Sequence, residues 1–338
     1  MPAMNVIVTG GAGFVGSHVC VALAQAGHVP VILDNFRNAK EDVPERIGKI
    51  VGEVPEVHEV DIRDEESLAS LLSGLSADAV IHCAALKAVG DSVANPLDYY
   101  ENNVTGTISL LRAMDRVDLR TIVFSSSATV YGDPTSVPVV EDSPMGEITN
   151  PYGWSKVMME QVLADLQVSD PRWAVALLRY FNPVGAHPSG LIGEDPAGVP
   201  TNLMPFVAQV AAGRLDRLKV YGDDYPTTDG TGVRDYIHVA DLADGHVAAL
   251  KAMAEPGSKL VYNLGTGRGT SVLELVAAFE TATGADVAYE VVGRRPGDVA
   301  ETWADVSKAE RDLGWTAKRS VEDICADMWR WQRSEYAG

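Results

Sequence analysis

Short runs of β-branched and other apolar residues recur through the first half of the chain, at 6–8, 29–33, 57–60, 79–82, 121–124 and 173–178. Helical segments separate them, the first opening near Gly13. Runs of this length alternating with helices predict βαβ crossovers, which build a parallel sheet covered on both faces. The expected fold class is therefore α/β, with a doubly wound parallel sheet.

After Tyr180 the rhythm breaks. Residues 181–200 are rich in Gly, Pro, Asn and His, and 222–234 form a second irregular stretch. Long irregular segments inside a compact protein are usually functional, so these two are expected to cover a ligand. A strand and helix over 236–254, then a strand at 260–263, predict a return to the sheet. Helices near 271–283 and 321–336 belong to a smaller C-terminal lobe. The expected division is 1–180 with 235–265 as one domain, and 181–234 with 266–338 as the lobe. Long helices are also expected over 96–114 and 152–166, with Val157, Val162 and Leu166 either in the core or partly at a subunit contact.

Charge narrows the function. Over 338 residues, 47 Asp and Glu stand against 27 Lys and Arg, a formal net charge of −20. Nucleic-acid binders concentrate positive charge, so no nucleic-acid partner is expected. Cys20, Cys83 and Cys325 are far apart and odd in number, which suggests neither a disulfide framework nor a thiol metal site. None of the seven histidines stands in a helical pair or beside a cysteine pair, and no metal is expected. No basic segment precedes the first apolar strand and no apolar run approaches a membrane span, so the expectation is a soluble, cytoplasmic protein with no membrane partner.

Two clusters carry chemistry. The first is TGGAGFVG at 9–16, where a glycine triplet follows a strand and opens a helix. In that context backbone N–H groups and a helix N-terminus hold a pyrophosphate, which makes the sheet Rossmann-like. The spacing reads either as Gly11, Gly13, Gly16 or as Gly10, Gly13, Gly16. Asp34 closes the second strand, where a carboxylate accepts from the adenosine ribose and repels a 2′-phosphate, favouring NAD over NADP despite nearby Arg37. Asp61 and Ile62, at the end of the third strand, read equally as neighbours of the adenine or as a turn cap.

The second cluster is Ser127 after the fifth strand, with Tyr152 and Lys156 four apart on the next helix. That spacing puts phenol and ammonium on one face, where the cation favours the phenolate. Bringing a phenol from a pKa of about 10 toward neutrality needs roughly 4 kcal/mol, within reach of the lysine plus a cationic nicotinamide in a dry site. The implied chemistry is hydride transfer with a tyrosine base.

These motifs, together with HCAALKAVGDS (82–92), FSSSATVYG (124–132), LRYFNPVGAHPSG (178–190), NLMP (202–205), GTGVRDYIHV (230–239) and WAD (303–305), resemble the nucleotide-sugar 4-epimerases of the extended short-chain dehydrogenase/reductase family. The resemblance covers nearly the whole chain. It implies reversible NAD-dependent epimerisation at C4 of UDP-galactose and UDP-glucose through a 4-keto intermediate, with the cofactor never released, in a homodimer with a four-helix interface. By the same resemblance Tyr152 is the base, Lys156 holds the nicotinamide ribose and Ser127 relays the proton. The cofactor would lie against Gly10, Gly13, Phe14, Val15, Gly16, Asp34, Asn35, Asp61, Ile62, Cys83, Ala84, Lys87, Asn102 and Tyr180 as well as those three. The UDP-hexose would meet Lys87, Ser127, Tyr152, Phe181, Asn182, Asn202, Leu203, Tyr221, Arg234, Arg295, Asp298 and Thr302. The two arginines suit a diphosphate, each offering a planar fork to phosphate oxygens.

The chain departs from the pattern it resembles at Cys83 and Ala85, where an aromatic residue and glycine are common, and at Trp154 inside the Tyr-x-x-x-Lys segment. Thr302 stands where the family varies between bulky and small residues beside the sugar 2-substituent, so an acetamido group would fit. A 4,6-dehydratase would need an acidic pair after the serine, where Ala128 and Thr129 stand. UDP-pentose epimerisation uses the same machinery, and a non-catalytic dinucleotide sensor would not need Ser127, Tyr152 and Lys156 together.

Overall fold

The computed structural model describes residues 2–195, 200, 202–253, 257–295 and 297–334. Seven strands form one sheet in the order Lys259–Leu264, Ala174–Tyr180, Thr121–Ser125, Ala79–His82, Asn5–Thr9, Val29–Asp34, Glu56–Glu59. Every neighbouring pair is parallel. Ala79–His82 is buried along its whole length and Thr121–Ser125 at all but its first residue, as parallel strands are when helices cover both faces. Alternate residues feed two cores. Val6, Val8, Ile81 and Val123 pack on one face with Leu23 and Leu250. Ile7, Val80 and Ile122 pack on the other with Leu110, Met114 and Leu163.

The chain order reverses between Asn5–Thr9 and Ala79–His82, which opens a crevice at the carboxyl ends of the strands. A third core, built from Val184, Met204, Val207, Val220, Leu275, Phe279, Met328 and Trp331, lies in the lobe. The helix Val272–Thr283 there begins with a capping box of Ser271 and Glu274, and Val321–Gln332 with one of Ser320 and Asp323.

Several boundaries differ from the expectation. The third strand ends at Glu59, so Asp61 lies beyond it rather than at its end. The helix expected over 96–114 runs as Pro96–Tyr99, a π turn at Tyr100–Thr105, then Gly106–Arg116. The π turn carries Asn102 and Asn103, both buried and hydrogen-bonded, into the crevice wall. Asn182–Val184, expected to be irregular, is a strand paired with Tyr236–His238. The helix after that strand is Val239–Ala252, and the end of its predicted span, 254, lies outside the described residues, as do 196–199 and 335–338. Val157, Val162 and Leu166 are half-buried and pack against core clusters.

Candidate active site

The loop after the first strand leaves no room for side chains. Gly10 has φ +67°, and a Cβ on it would lie 2.8 Å from the Ala84 nitrogen. A Cβ on Gly16 would lie 2.0 Å from the Gly10 carbonyl oxygen. The helix Phe14–Gln25 then starts at Gly13 with no side-chain cap and no acidic residue in its first turn. Its first N–H groups therefore point, uncapped, into the crevice beside Val15, a cradle shaped for a pyrophosphate. The Gly10, Gly13, Gly16 spacing is the one that frames it; Gly11 is crowded instead by Val8 and Ile32 beneath the loop.

Asp34 is buried at the end of its strand, accepting from Ala12 N at 3.0 Å and from Phe36 N at 2.9 Å. Burial raises its pKa, against the pull of those hydrogen bonds. Arg37 points away and pairs with exposed Asp98 at 3.4 Å. Asp61 accepts from Asn35 Nδ2 at 3.1 Å and from Arg63 through both backbone and side chain. The Arg63 guanidinium holds its carboxyl well below the usual range. The turn-cap reading of Asp61 is thus realised, next to buried Ile62.

The segment after Ala79–His82 is fastened by Asn103, which sequence reading passed over in favour of its neighbour Asn102. Asn103 Oδ1 accepts from Leu86 N at 2.8 Å while its Nδ2 donates to Leu86 O and to Ser155 Oγ, each at 3.0 Å. Asn102 donates in turn to Asn103 Oδ1. Cys83 Sγ lies 3.2 Å from Ser125 Oγ, and Ala84 N is 3.4 Å from Thr9 Oγ1. Lys87 Nζ sits 5.5 Å from the centroid of the Phe14 ring and 2.6 Å from Glu194 Oε1.

Ser127 caps a 3₁₀ turn, Ala128–Tyr131, its Oγ accepting from Thr129 N. Asn150 caps the helix Pro151–Ser169 through Gly153 N, which fixes where Tyr152 and Lys156 emerge. Both are buried. Lys156 Nζ donates to Ser125 O at 2.7 Å and stands 5.9 Å from the centroid of the Tyr152 ring. Burial pushes the phenol up, a hydrogen bond with Ser127 pulling against it. Here the structure corrects a simple electrostatic expectation: in the chain by itself desolvation governs the phenol, not the lysine. Burial also pushes Lys156 down to about 8, against the influence of Cys83 and Glu160. Tyr180, at the end of its strand, is raised by burial too.

Behind these groups lies a network with no sequence motif. Ser126 Oγ donates to Glu160 Oε1 at 2.5 Å, and Arg179 grips the same carboxylate through Nε at 3.0 Å and Nη2 at 2.7 Å. Arg179 also donates to Tyr131 OH. Glu160 is one helical turn past Lys156, and that spacing is the signal that would have found it. His246 Nε2 accepts from Ser125 Oγ at 2.7 Å while its Nδ1 donates to Leu242 O; burial, against the pull of the Leu242 bond, lowers its pKa to about 4.

On the lobe side, Thr302 pairs with Arg234 in a short strand contact, and Asp235 N donates to Thr302 O at 3.1 Å. Asp235 is fully buried; it accepts from Thr266 N, Gly267 N and Ala304 N, and its carbonyl accepts from Asn182 N. It thereby ties four segments together, another role the sequence did not announce. Phe181 is buried beside exposed Asn182. Arg295 pairs with Asp298 at 2.8 Å and lies 5.5 Å from the centroid of the Tyr221 ring. Burial raises the Tyr236 phenol, and the charges of Arg234 and Asp298 act on it in opposite senses. Asn202, the N-cap residue of Leu203–Ala211, turns its amide to Glu194.

All three cysteines are free. Among the described residues no group of three His, Cys, Asp or Glu side chains is placed to hold a metal, and no helix is long and apolar enough to cross a membrane.

Known proteins match nearly the whole chain. UDP-glucose 4-epimerase of Bacillus subtilis is 56% identical over 335 residues, covering 99% of this chain and 98% of that protein. The crystal structure of UDP-glucose-4-epimerase from Stenotrophomonas maltophila with bound NAD and formylated UDP-arabinopyranose superposes with a TM-score of 0.96 at 52% identity, covering 98% of both chains. That of the Bifidobacterium longum enzyme in complex with NAD+ and UDP gives 0.94 at 50% identity, covering 97% of this chain and 98% of that one. With residues 6–265 matching the family model, the chain belongs to the NAD dependent epimerase/dehydratase family.

Proposed function

We infer that this chain interconverts UDP-galactose and UDP-glucose by NAD-dependent epimerisation at C4. The observation that carries the reading is the convergence of Ser127, Tyr152 and Lys156 at the carboxyl edge of the sheet beside the glycine cradle. The cradle fits a dinucleotide: its glycines tolerate no Cβ, its helix N-terminus is uncapped, and Asp34 faces the place of an adenosine ribose. Bound NAD accepts a hydride from sugar C4 and later returns it to the opposite face. Tyr152, whose burial favours the phenol in the chain by itself, would be ionised once the cationic nicotinamide adds its charge to that of Lys156; it then takes the O4 proton as the C4–O4 double bond forms, and gives it back as the alcohol is rebuilt. Ser127 hydrogen-bonds the same oxygen and steadies the phenolate. Lys156, held by the Ser125 carbonyl, keeps positive charge beside the tyrosine. The 4-keto sugar turns about its diphosphate linkage while Arg234, Arg295 and Asn202 keep the nucleotide in place. In this reading residues 1–180 and 235–265 serve the cofactor, and 181–234 and 266–338 the UDP-hexose.

A second substrate class has its own support. Thr302, half-buried on the strand beside Arg234, is small enough to leave space for a 2-acetamido group, so UDP-N-acetylglucosamine and UDP-N-acetylgalactosamine are included. A homodimer is supported by Val93, Leu97, Trp154 and Met158, apolar residues exposed on helices that pack against one another. A cytoplasmic location is supported by the three free cysteines. The test is to incubate purified protein with UDP-galactose and no added cofactor and to follow UDP-glucose by NMR. Conversion is expected, because NAD is retained; no product even with NAD supplied would overturn the reading.

A further inference from the structure

We infer that Glu194 is a positioning residue that couples the cofactor half of the site to the nucleotide-sugar half. The inference rests on the reading above, in which Lys87 borders the cofactor and the hexose and Asn202 keeps the nucleotide in place; UDP alone, the probe used below, lacks the hexose. A single carboxylate oxygen, Oε1, lies 2.6 Å from Lys87 Nζ and 2.6 Å from Asn202 Nδ2. These donors come from opposite sides of the crevice. Lys87 follows the strand Ala79–His82 and reaches over the Phe14 ring at the rim of the glycine cradle. Asn202 stands at the start of the lobe helix Leu203–Ala211, which packs into the third core.

The carboxylate is built in from behind. Trp331 Nε1 donates to the Glu194 carbonyl at 3.1 Å, and a Cβ on Gly193 would lie 2.6 Å from the Trp331 indole. His187 N donates to Ile192 O at 3.0 Å, fixing the approach to the same segment. Glu194 is 8% exposed, and its Oε2 is buried with no partner among the described residues. The side chain therefore cannot follow one donor without releasing the other. A shift of Lys87 as the dinucleotide seats itself is transmitted through one oxygen atom to the amide of Asn202, and the reverse transmission has the same magnitude by linkage. Methionine at this position would withdraw the oxygen that both donors share while keeping an unbranched side chain of similar length, whereas glutamine could keep both bonds by turning its NH₂ to the unpartnered Oε2 place.

The experiment uses the NAD-bound enzyme, with UDP affinity measured by calorimetry and NAD loss by gel filtration. Lys87→Met is expected to weaken UDP, and Asn202→Ala to hasten NAD loss, each by about fivefold or more. In a Glu194→Met background both cross effects vanish, because their carrier is gone. Cross effects that are absent in the wild-type background, or undiminished in Glu194→Met, would overturn the coupling. Should Glu194→Met fail to fold, the absence of either cross effect in the wild-type background still overturns the coupling, and Glu194→Ala takes the place of the methionine variant. A wild-type protein that turns over UDP-galactose but shows no cross effect overturns the coupling only; one that binds no UDP overturns the functional reading together with it.

Discussion

Replacing Lys156 by methionine should abolish turnover and yet leave the fold as stable as before, or more so. The ammonium is 2% exposed, and burial lowers its pKa from 10.5 to about 8. A lysine whose folded pKa is depressed binds its proton less tightly in the native chain than in the unfolded one. The native state therefore carries a penalty that is complete below pH 8 and disappears as pH rises through 10.5. Each pKa unit is worth about 1.4 kcal/mol, so the penalty at pH 7 is roughly 3 kcal/mol. Methionine removes it, but also removes the donor to the Ser125 carbonyl, which costs about 1–3 kcal/mol for a buried acceptor left unpaired. The net expectation is a gain of about 0–2 kcal/mol, or up to ~3 °C in Tm at pH 7 for a chain of this length. Calorimetry of wild type and variant at pH 7 and pH 10 tests it: the stability advantage should shrink at pH 10, as the wild-type lysine loses its proton. A variant less stable than wild type by more than about 2 kcal/mol at both pH values would refute the argument, because the buried charge would then be a source of stability.

Tyr152→Phe keeps the ring and loses the base, so kcat should fall by about 10²–10⁴ with UDP affinity unchanged; steady-state turnover near wild type would count against the phenol as base. Thr302→Tyr fills the space beside the sugar 2-substituent and should cut turnover of the N-acetylated substrates by about tenfold or more relative to UDP-galactose, measured as a ratio of kcat/KM values. Equal losses for both substrates would mean that Thr302 does not border that substituent. Glu160→Gln leaves the Arg179 guanidinium buried without its ion partner and should destabilise the chain by about 3–5 kcal/mol, whereas Glu160→Leu combined with Arg179→Met should recover most of the loss. Thermal unfolding of the three proteins separates these outcomes, and equal stability of the single and double variants would contradict them.

Local order was legible in the sequence. Alternating apolar runs fixed the strands because a parallel sheet buried on both faces needs them continuous, and the four-residue spacing of Tyr152 and Lys156 declared a shared helix face. The cradle was legible to within one glycine; the choice of Gly10 over Gly11 depended on a positive φ and a close approach to Ala84 that spacing does not encode. What escaped were polar partnerships between side chains that only the fold brings together. Glu194 meets Lys87 across 107 positions, Asn103 fastens Leu86 from a π turn that has no periodic signature, and Glu160 meets Arg179 through a polar pair that looks, in sequence, like two surface charges. Asp235 stood inside a recognised motif, yet its role comes from backbone N–H groups, which every residue carries and no sequence pattern marks.

The central claim is that one hydrogen leaves C4 and the same hydrogen returns, without ever meeting solvent. UDP-galactose deuterated at C4, incubated with the purified protein in ordinary water, tests it by NMR of the UDP-glucose formed. Deuterium retained at C4 of the product is the predicted result. Product carrying solvent hydrogen at C4 would contradict the account.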